Sequence, residues 1–238
     1  MNPQHVTLPR ALTIAGSDSG GGAGIQADLK TFSAFGVYGM SVLTAITAQN
    51  TVGVQGVEML TPAFITMQFE SVVSDIGVDA LKTGMLGTAD AVTAVAAMIA
   101  RAGLTNLVVD PVMVAKSGDH LLAEDAVQAL RTRLLPLALV ITPNVPEAET
   151  LVGAPIQTLD DMKEAARRLH DCGPHWIVVK GGHMGGETVT DLLYDGIEFQ
   201  SLATPRIDTA HTHGTGCTFS AAMTACLAMG QSVPDAFA

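Results

Sequence analysis

The sequence predicts an α/β domain built around a mainly parallel sheet, and three observations carry that prediction. Short apolar runs of strand length alternate with longer helical stretches along the whole chain. Most of these runs close on glycine or on a single polar residue, as buried parallel strands do when their C-terminal ends face a ligand crevice. No linker, internal repeat or low-complexity segment interrupts the alternation, so the 238 residues read as one domain.

Composition narrows the partners. A formal net charge of −11 argues against nucleic acid and anionic membrane surfaces. An acidic protein that binds phosphate must hold it with backbone N–H groups, a few placed cations and a metal. The three cysteines, Cys172, Cys217 and Cys226, form no even set and show no metal-ligand spacing, which points to the reducing cytoplasm. Residues 1–10 lack the apolar core of a secretory signal, and no apolar stretch is long enough to span a membrane.

The first strand is Ala11–Ala15, ending at Gly16. A glycine loop, Ser17–Gly24, follows and opens a helix over Ile25–Phe32, the context in which a backbone approaches a ligand closely. Gly22–Ala27 fits the dinucleotide pattern G-x-G-x-x-A, but no acid stands between Asp28 and Glu58 to hold a ribose, so an oxidoreductase reading fails. No P-loop pattern is present. Tyr38–Gln49 reads as a second strand. Gln49 at its end can donate and accept through one amide, which suits an amino-substituted heterocycle, or it is an ordinary polar residue entering a loop. Pro62–Ser74 is helical, Ala80–Met85 is a strand turning at Gly84, and Thr88 caps a helix over Ala89–Ala102 that stops at Gly103.

Leu107–Pro111 is a strand closing on Asp110, a carboxylate placed for the ligand crevice or for a structural cap. The loop Val112–His120, with Lys116-Ser117-Gly118-Asp119, is a lid or a solvated turn. Glu124–Leu135 is helical, and the strand Ala138–Ile141 leads into Asn144-Val145-Pro146-Glu147. An amide and a carboxylate at that spacing can orient waters around Mg²⁺, and the same residues can simply cap a helix. Leu159–Cys172 is an amphipathic helix stopped at Gly173. The strand Trp176–Lys180 runs into Gly181-Gly182-His183, where Lys180 can meet a phosphate as a point charge or snorkel from a sheet edge. Thr188–Tyr194 and Ile197–Leu202 form a hairpin across Asp195-Gly196.

Near the C-terminal end, His213-Gly214-Thr215-Gly216-Cys217 reads as a tight loop feeding a buried helix over Gly216–Met229. The first turn of such a helix offers unpaired N–H groups and a positive dipole end to a phosphate, and a thiol there loses some of its pKa. The plain alternative is a glycine-rich helix entry with a buried cysteine. Ser232–Ala238, with Pro234 in the first turn, opens another helix, and the expectation is a chain cut short of that helix's end.

Four of these segments occur in order: Ala11–Thr31, Ala48-Gln49-Asn50-Thr51, Val179-Lys180-Gly181-Gly182-His183 and His213–Cys217. Together they resemble the hydroxymethylpyrimidine/phosphomethylpyrimidine kinases of thiamine biosynthesis, in the ribokinase-like superfamily, over essentially the whole chain. The resemblance implies a ribokinase-like three-layer α/β/α sandwich with a mainly parallel central sheet. It implies ATP-dependent phosphorylation of 4-amino-5-hydroxymethyl-2-methylpyrimidine and then of its monophosphate, with Mg²⁺, in a cytoplasmic homodimer. Gln49 would pair with the aminopyrimidine edge, and Gly16, Ala23, Met85 and Val112 would line the ring's pocket. Lys180 would serve the ATP phosphates, while Asn144 and Glu147, with Asp110 nearby, would order the magnesium.

The backbone of Gly214, Thr215, Gly216 and Cys217 would form the anion hole, with Thr215 on the nucleotide side. Most sugar kinases of the superfamily place an aspartate, the general base, where Cys217 stands. The helix N-terminus is expected to lower the pKa of Cys217 so that it can take that role. Family members continue with a further helix over the adenine, so the resemblance implies a single kinase domain lacking its C-terminal helix. A pyridoxal-type kinase of the same branch is the nearest rival, and a non-catalytic ligand-binding protein on the same scaffold is another.

Overall fold

The computed structural model describes residues 8–113, 124–209 and 211–238. The segment Lys116–Asp119, read as a lid or turn, lies outside the described residues. In chain order the first elements are β1 (Arg10–Ala15), α1 (Gly24–Ala34), β2 (Tyr38–Leu43), β3 (Ala45–Gln49), β4 (Val54–Met59) and α2 (Pro62–Asp75). They are followed by β5 (Ala80–Thr83), α3 (Ala89–Ala102), β6 (Leu107–Val109), α4 (Glu124–Ala129), β7 (Val140–Ile141) and α5 (Val145–Val152). The last are α6 (Leu159–His170), β8 (Trp176–Val179), β9 (Thr188–Tyr194), β10 (Phe199–Pro205), α7 (Thr215–Ala228) and α8 (Val233–Phe237).

Eight strands form one sheet in the order β10-β9-β8-β7-β6-β5-β1-β2. From β2 to β8 the neighbours are parallel, and the β9–β10 hairpin is antiparallel at the edge. Side chains alternate across the sheet, as strand geometry requires. Leu12, Ile14, Leu81, Ile177 and Val179 face one core with α2, α3, α5 and α6, whereas Ala11, Ala80, Val108, Val140 and Val178 face α1, α7 and α8. Both faces are covered, so the strands read as continuous apolar runs. The three-layer α/β/α fold is as expected.

Local chemistry sets the helix ends. Thr88 accepts the Ala91 N–H and Gly103 closes α3 in the left-handed region at φ 65°. Thr61 caps α2 and a Thr158/Asp161 capping box opens α6. No helix among the described residues is long and apolar enough to cross a membrane.

Three expectations need correction. The single strand Tyr38–Gln49 is two strands broken at Thr44, which is buried and bonded to Ala15 O, Met85 O and the Leu60 N–H. Past that break, β3 leaves the main sheet and pairs with β4 as an antiparallel ribbon. Strand β4 carries no buried residue, so its apolar pattern gives no sign of it. The helix that opens at Glu124 loosens into a wide turn at Leu130–Leu134 and a tight one at Leu135–Leu137, where Pro136 offers no N–H. The hairpin's second strand starts at Phe199, because Asp195 Oδ1 takes the Ile197 and Glu198 N–H groups into the turn.

Candidate active site

The polar strand ends converge as parallel topology dictates. The loops after β1, β5, β6, β7 and β8, together with the start of α7, line one cavity of about 710 Å³, a size suited to a small ligand. Every sequence-predicted site residue lies on its wall: Gly16, Ala23, Gln49, Met85, Asp110, Val112, Asn144, Glu147, Lys180, Gly214, Thr215, Gly216 and Cys217.

Two glycine loops interlock at one end of the cavity. Gly214 caps α7 at φ 80°, and a Cβ there would run into the carbonyl oxygen of Gly22. Asp18, missed by the sequence reading, ties the loops together. Its carboxylate accepts the N–H groups of Gly20, Gly22 and Ala23 at 2.8, 3.1 and 2.8 Å and lies 2.9 Å from His213 Nε2. Burial pushes Asp18 up, yet His213 and the Ala23 and Gly20 N–H groups hold it below the ordinary carboxylate range. The N–H groups of the first turn of α7 have no intrahelical partner and sit at the positive end of the dipole.

Cys217 stands in that first turn, partly exposed to the cavity. Its thiol is not acidified. Burial pushes it up to about 11, and the opposing pull of Lys82 is outweighed with the help of Asp110 and Asp28. The expected lowering by the helix N-terminus is therefore overturned by desolvation and by two nearby carboxylates.

Asp110 is no cap. Its Oδ1 accepts from Lys180 Nζ at 3.2 Å and from Thr142 Oγ1 at 3.4 Å, and its Oδ2 accepts from Ser220 at 3.1 Å. Burial opposes ionisation, but Lys180, Lys82 and Ser220 keep the group below the usual range. Lys180 does not snorkel: its side chain is 14% exposed and it stays protonated beside Asp110 and Glu147. Gly181 leaves room for the neighbouring Thr190 carbonyl, and Asp191 accepts the Gly181 N–H at 2.7 Å.

Asn144 and Glu147 form a capping box on α5, each side chain accepting the other's N–H at 2.9 Å. The structural alternative for this pair is thus realised, and the cavity position is realised with it. Burial and the Asp110 charge push Glu147 up to about 7. Among the described residues no group of three His, Cys, Asp or Glu side chains comes together as a metal cage.

Gln49 ends β3 at a register shift, which re-aims a side chain. Ser19 bridges its backbone to the first glycine loop at 2.7 and 2.8 Å, and Thr47 donates to its Oε1 at 3.2 Å. Met85 reaches over Gly16, where any Cβ would strike its terminal methyl.

The sequence reading also missed Asp28 and Lys82, which are fully buried and 2.9 Å apart. One signal was available: Asp28 lies on the stripe of α1 that buries Ile25 and Phe32.

An anion cradle beside a lysine, with an amide among apolar walls in the same cavity, suits phosphoryl transfer to a small molecule. The comparisons agree. The phosphomethylpyrimidine kinase family profile matches residues 18–238. A hydroxymethylpyrimidine/phosphomethylpyrimidine kinase of Bacillus subtilis is 52% identical over 98% of this chain and 86% of its own length. The crystal structure of a phosphomethylpyrimidine kinase from Clostridium difficile superposes with a TM-score of 0.86 at 45% identity, over 97% of this chain and 95% of that one. An ADP complex of Bacillus subtilis pyridoxal kinase superposes with a TM-score of 0.89 at 46% identity, over 97% and 88% of the two chains. The chain belongs to the phosphomethylpyrimidine kinase family.

Proposed function

We propose that the chain transfers the γ-phosphoryl group of ATP to 4-amino-5-hydroxymethyl-2-methylpyrimidine and then to the resulting monophosphate, in thiamine biosynthesis. The observation that carries this reading is the shared cavity, which holds an amide for the aminopyrimidine edge, Gln49, together with Lys180, Cys217 and the start of α7. The ring lies among Gly16, Ala23, Met85 and Val112, with its amino edge on Gln49. The hydroxymethyl oxygen forms the new bond to the γ-phosphorus, the bond from that phosphorus to the β,γ-bridging oxygen of ATP breaks with its electron pair leaving on ADP, and the hydroxyl proton passes to the thiolate form of Cys217. Lys180 and the N–H groups of Gly214, Thr215, Gly216 and Cys217 hold the charge of the transferring group.

A thiol pushed up to about 11 is a minor thiolate near neutrality, at a cost of roughly 5 kcal/mol. The base is therefore the small thiolate fraction of Cys217, a loose transition state asks little of it, and charge stabilisation supplies most of the acceleration.

Mg²⁺ is the metal that the fold family implies, and the donor set suits it. Asp110 and Glu147 share the cavity with Asn144, and burial and the charge of Asp110 raise Glu147, so a cation there would favour its ionised form. Mg²⁺ needs only one or two carboxylates, keeping waters and substrate phosphates for its other positions. When bound it would neutralise charge on the nucleotide phosphates. In this reading the chain is a single domain, works in the cytoplasm and pairs with a second copy. Phe64 and Met67, one turn apart and exposed on α2, support that reading as apolar surface open to a second copy. Sedimentation equilibrium is expected to give twice the chain mass, and a monomer would remove the dimer from the proposal.

A coupled ADP-release assay tests the function. Hydroxymethylpyrimidine is expected to turn over faster than pyridoxal, with a second ADP released from ATP as the monophosphate is phosphorylated. Faster turnover of pyridoxal would favour a pyridoxal-type kinase of the same branch. Gln49→Ala is expected to weaken pyrimidine binding by about 1–3 kcal/mol in calorimetric titration, because a polar ligand edge is left unpaired. Unchanged affinity would remove Gln49 from its role.

A further inference from the structure

Lys82 and Asp28 are fully buried charges to which the reaction above gives no part. Lys82 Nζ donates to Asp28 Oδ1 at 2.9 Å, and Thr13 donates to Asp28 Oδ2 at 2.6 Å. Stability does not explain such a pair, since apolar residues of similar volume often replace a buried ion pair with no loss. Its position is more telling. Both residues line the cavity that holds Cys217, on the side of the sheet where α1 and α7 pack together. Helix α1 anchors Lys82 through Asp28, and its first residue, Gly24, lines the same cavity as Cys217.

The charged groups facing that thiol are Asp28 from α1, Lys82 from β5, Asp110 after β6 and Lys180 after β8. On its own loop, His213 is engaged with Asp18. The hydrogen bonds of Asp110 go to Lys180, Ser220 and Thr142, so Lys180 is committed there. Lys82 is paired with Asp28 as Lys180 is with Asp110, and of the two lysines lining the cavity it is the chief influence favouring the thiolate. We propose that Lys82 and Asp28 are positioning residues for Cys217: Lys82 is a fixed positive charge that favours the thiolate, and Asp28 holds Lys82 in place and moderates its charge.

The two charges act on the thiol with opposite signs, so the test separates electrostatics from damage to the fold. It reads the thiol without substrate, so its failure is distinguishable from failure of the kinase reading on which the role of Cys217 rests. In a Cys172→Ser/Cys226→Ser background free of nucleotide, alkylation of Cys217 by iodoacetamide is followed by mass spectrometry from neutral to alkaline pH. Lys82→Met is expected to slow alkylation near neutrality by about tenfold, one unit of thiol pKa, and to move the curve to higher pH. Asp28→Asn is expected to move it to lower pH and to speed the reaction by a similar factor. The double variant Lys82→Met/Asp28→Asn leaves no unpaired buried charge. It is expected to melt at or above the parent temperature and to react more slowly than the parent. Curves that coincide with the parent, or single variants that shift in the same direction, would overturn the proposal. Should a single variant not fold, a double variant alkylated at the parent rate would overturn it as well.

Discussion

Cys217→Ala is expected to lower kcat for hydroxymethylpyrimidine by about a hundredfold, toward the low end for loss of a general base. Pyrimidine affinity should stay near the parent value, because the proposed ring contacts are Gln49, Met85 and the first glycine loop, which line the same cavity, rather than the thiol. The low end is expected because a thiol pushed up to about 11 is only a small thiolate fraction near neutrality and so supplies only part of the acceleration. The second phosphorylation separates this role from a merely structural one. A phosphate monoester has its second pKa near ~6, so its attacking oxygen carries no proton at pH above neutrality. The monophosphate step should therefore lose much less than the alcohol step. Steady-state ADP release measured for each substrate checks this, and equal losses in the two steps would show that Cys217 shapes the anion hole instead of taking a proton.

The parts of the site legible in the sequence are those that topology places. Parallel strands carry their C-terminal ends to one side, so Asp110, Asn144 and Lys180 declare themselves as polar residues closing apolar runs. Gly214 and Gly216 declare themselves by flanking Thr215 at a helix start. What was not legible depends on neighbours distant in the chain. Thr44 breaks an otherwise continuous strand because Ala15 and Met85 supply its partners. Lys82 looks like an ordinary strand residue until Asp28, from a helix more than fifty positions earlier, is seen to hold it. The direction of the Cys217 shift was misread for the same reason. A helix dipole is a local property visible in sequence, whereas burial and the charges of Asp110 and Asp28 are tertiary ones, and they dominate.

Lys180→Met is expected to lower kcat/KM for hydroxymethylpyrimidine by about two to three orders of magnitude, the range for loss of one preorganised charge-stabilising group. The loss should be larger still with the monophosphate, whose own charge must approach the transferring group against repulsion that Lys180 offsets. This is the reverse of the pattern expected for Cys217→Ala, so the two variants assign the two roles independently. Lys180 also compensates the buried Asp110, and the variant should therefore be less stable at neutral pH. The sign follows from the depressed pKa of Asp110. An acid held below its unfolded value contributes stability above the ordinary carboxylate range and loses it as pH falls through the folded value. Without Lys180 that contribution shrinks, so the gap in melting temperature between parent and variant should be widest near neutrality and narrow toward acid. A gap independent of pH would mean that the methionine disturbs packing and that the Lys180–Asp110 pair carries no linkage. A monophosphate step no more sensitive than the alcohol step would separate Lys180 from the phosphates.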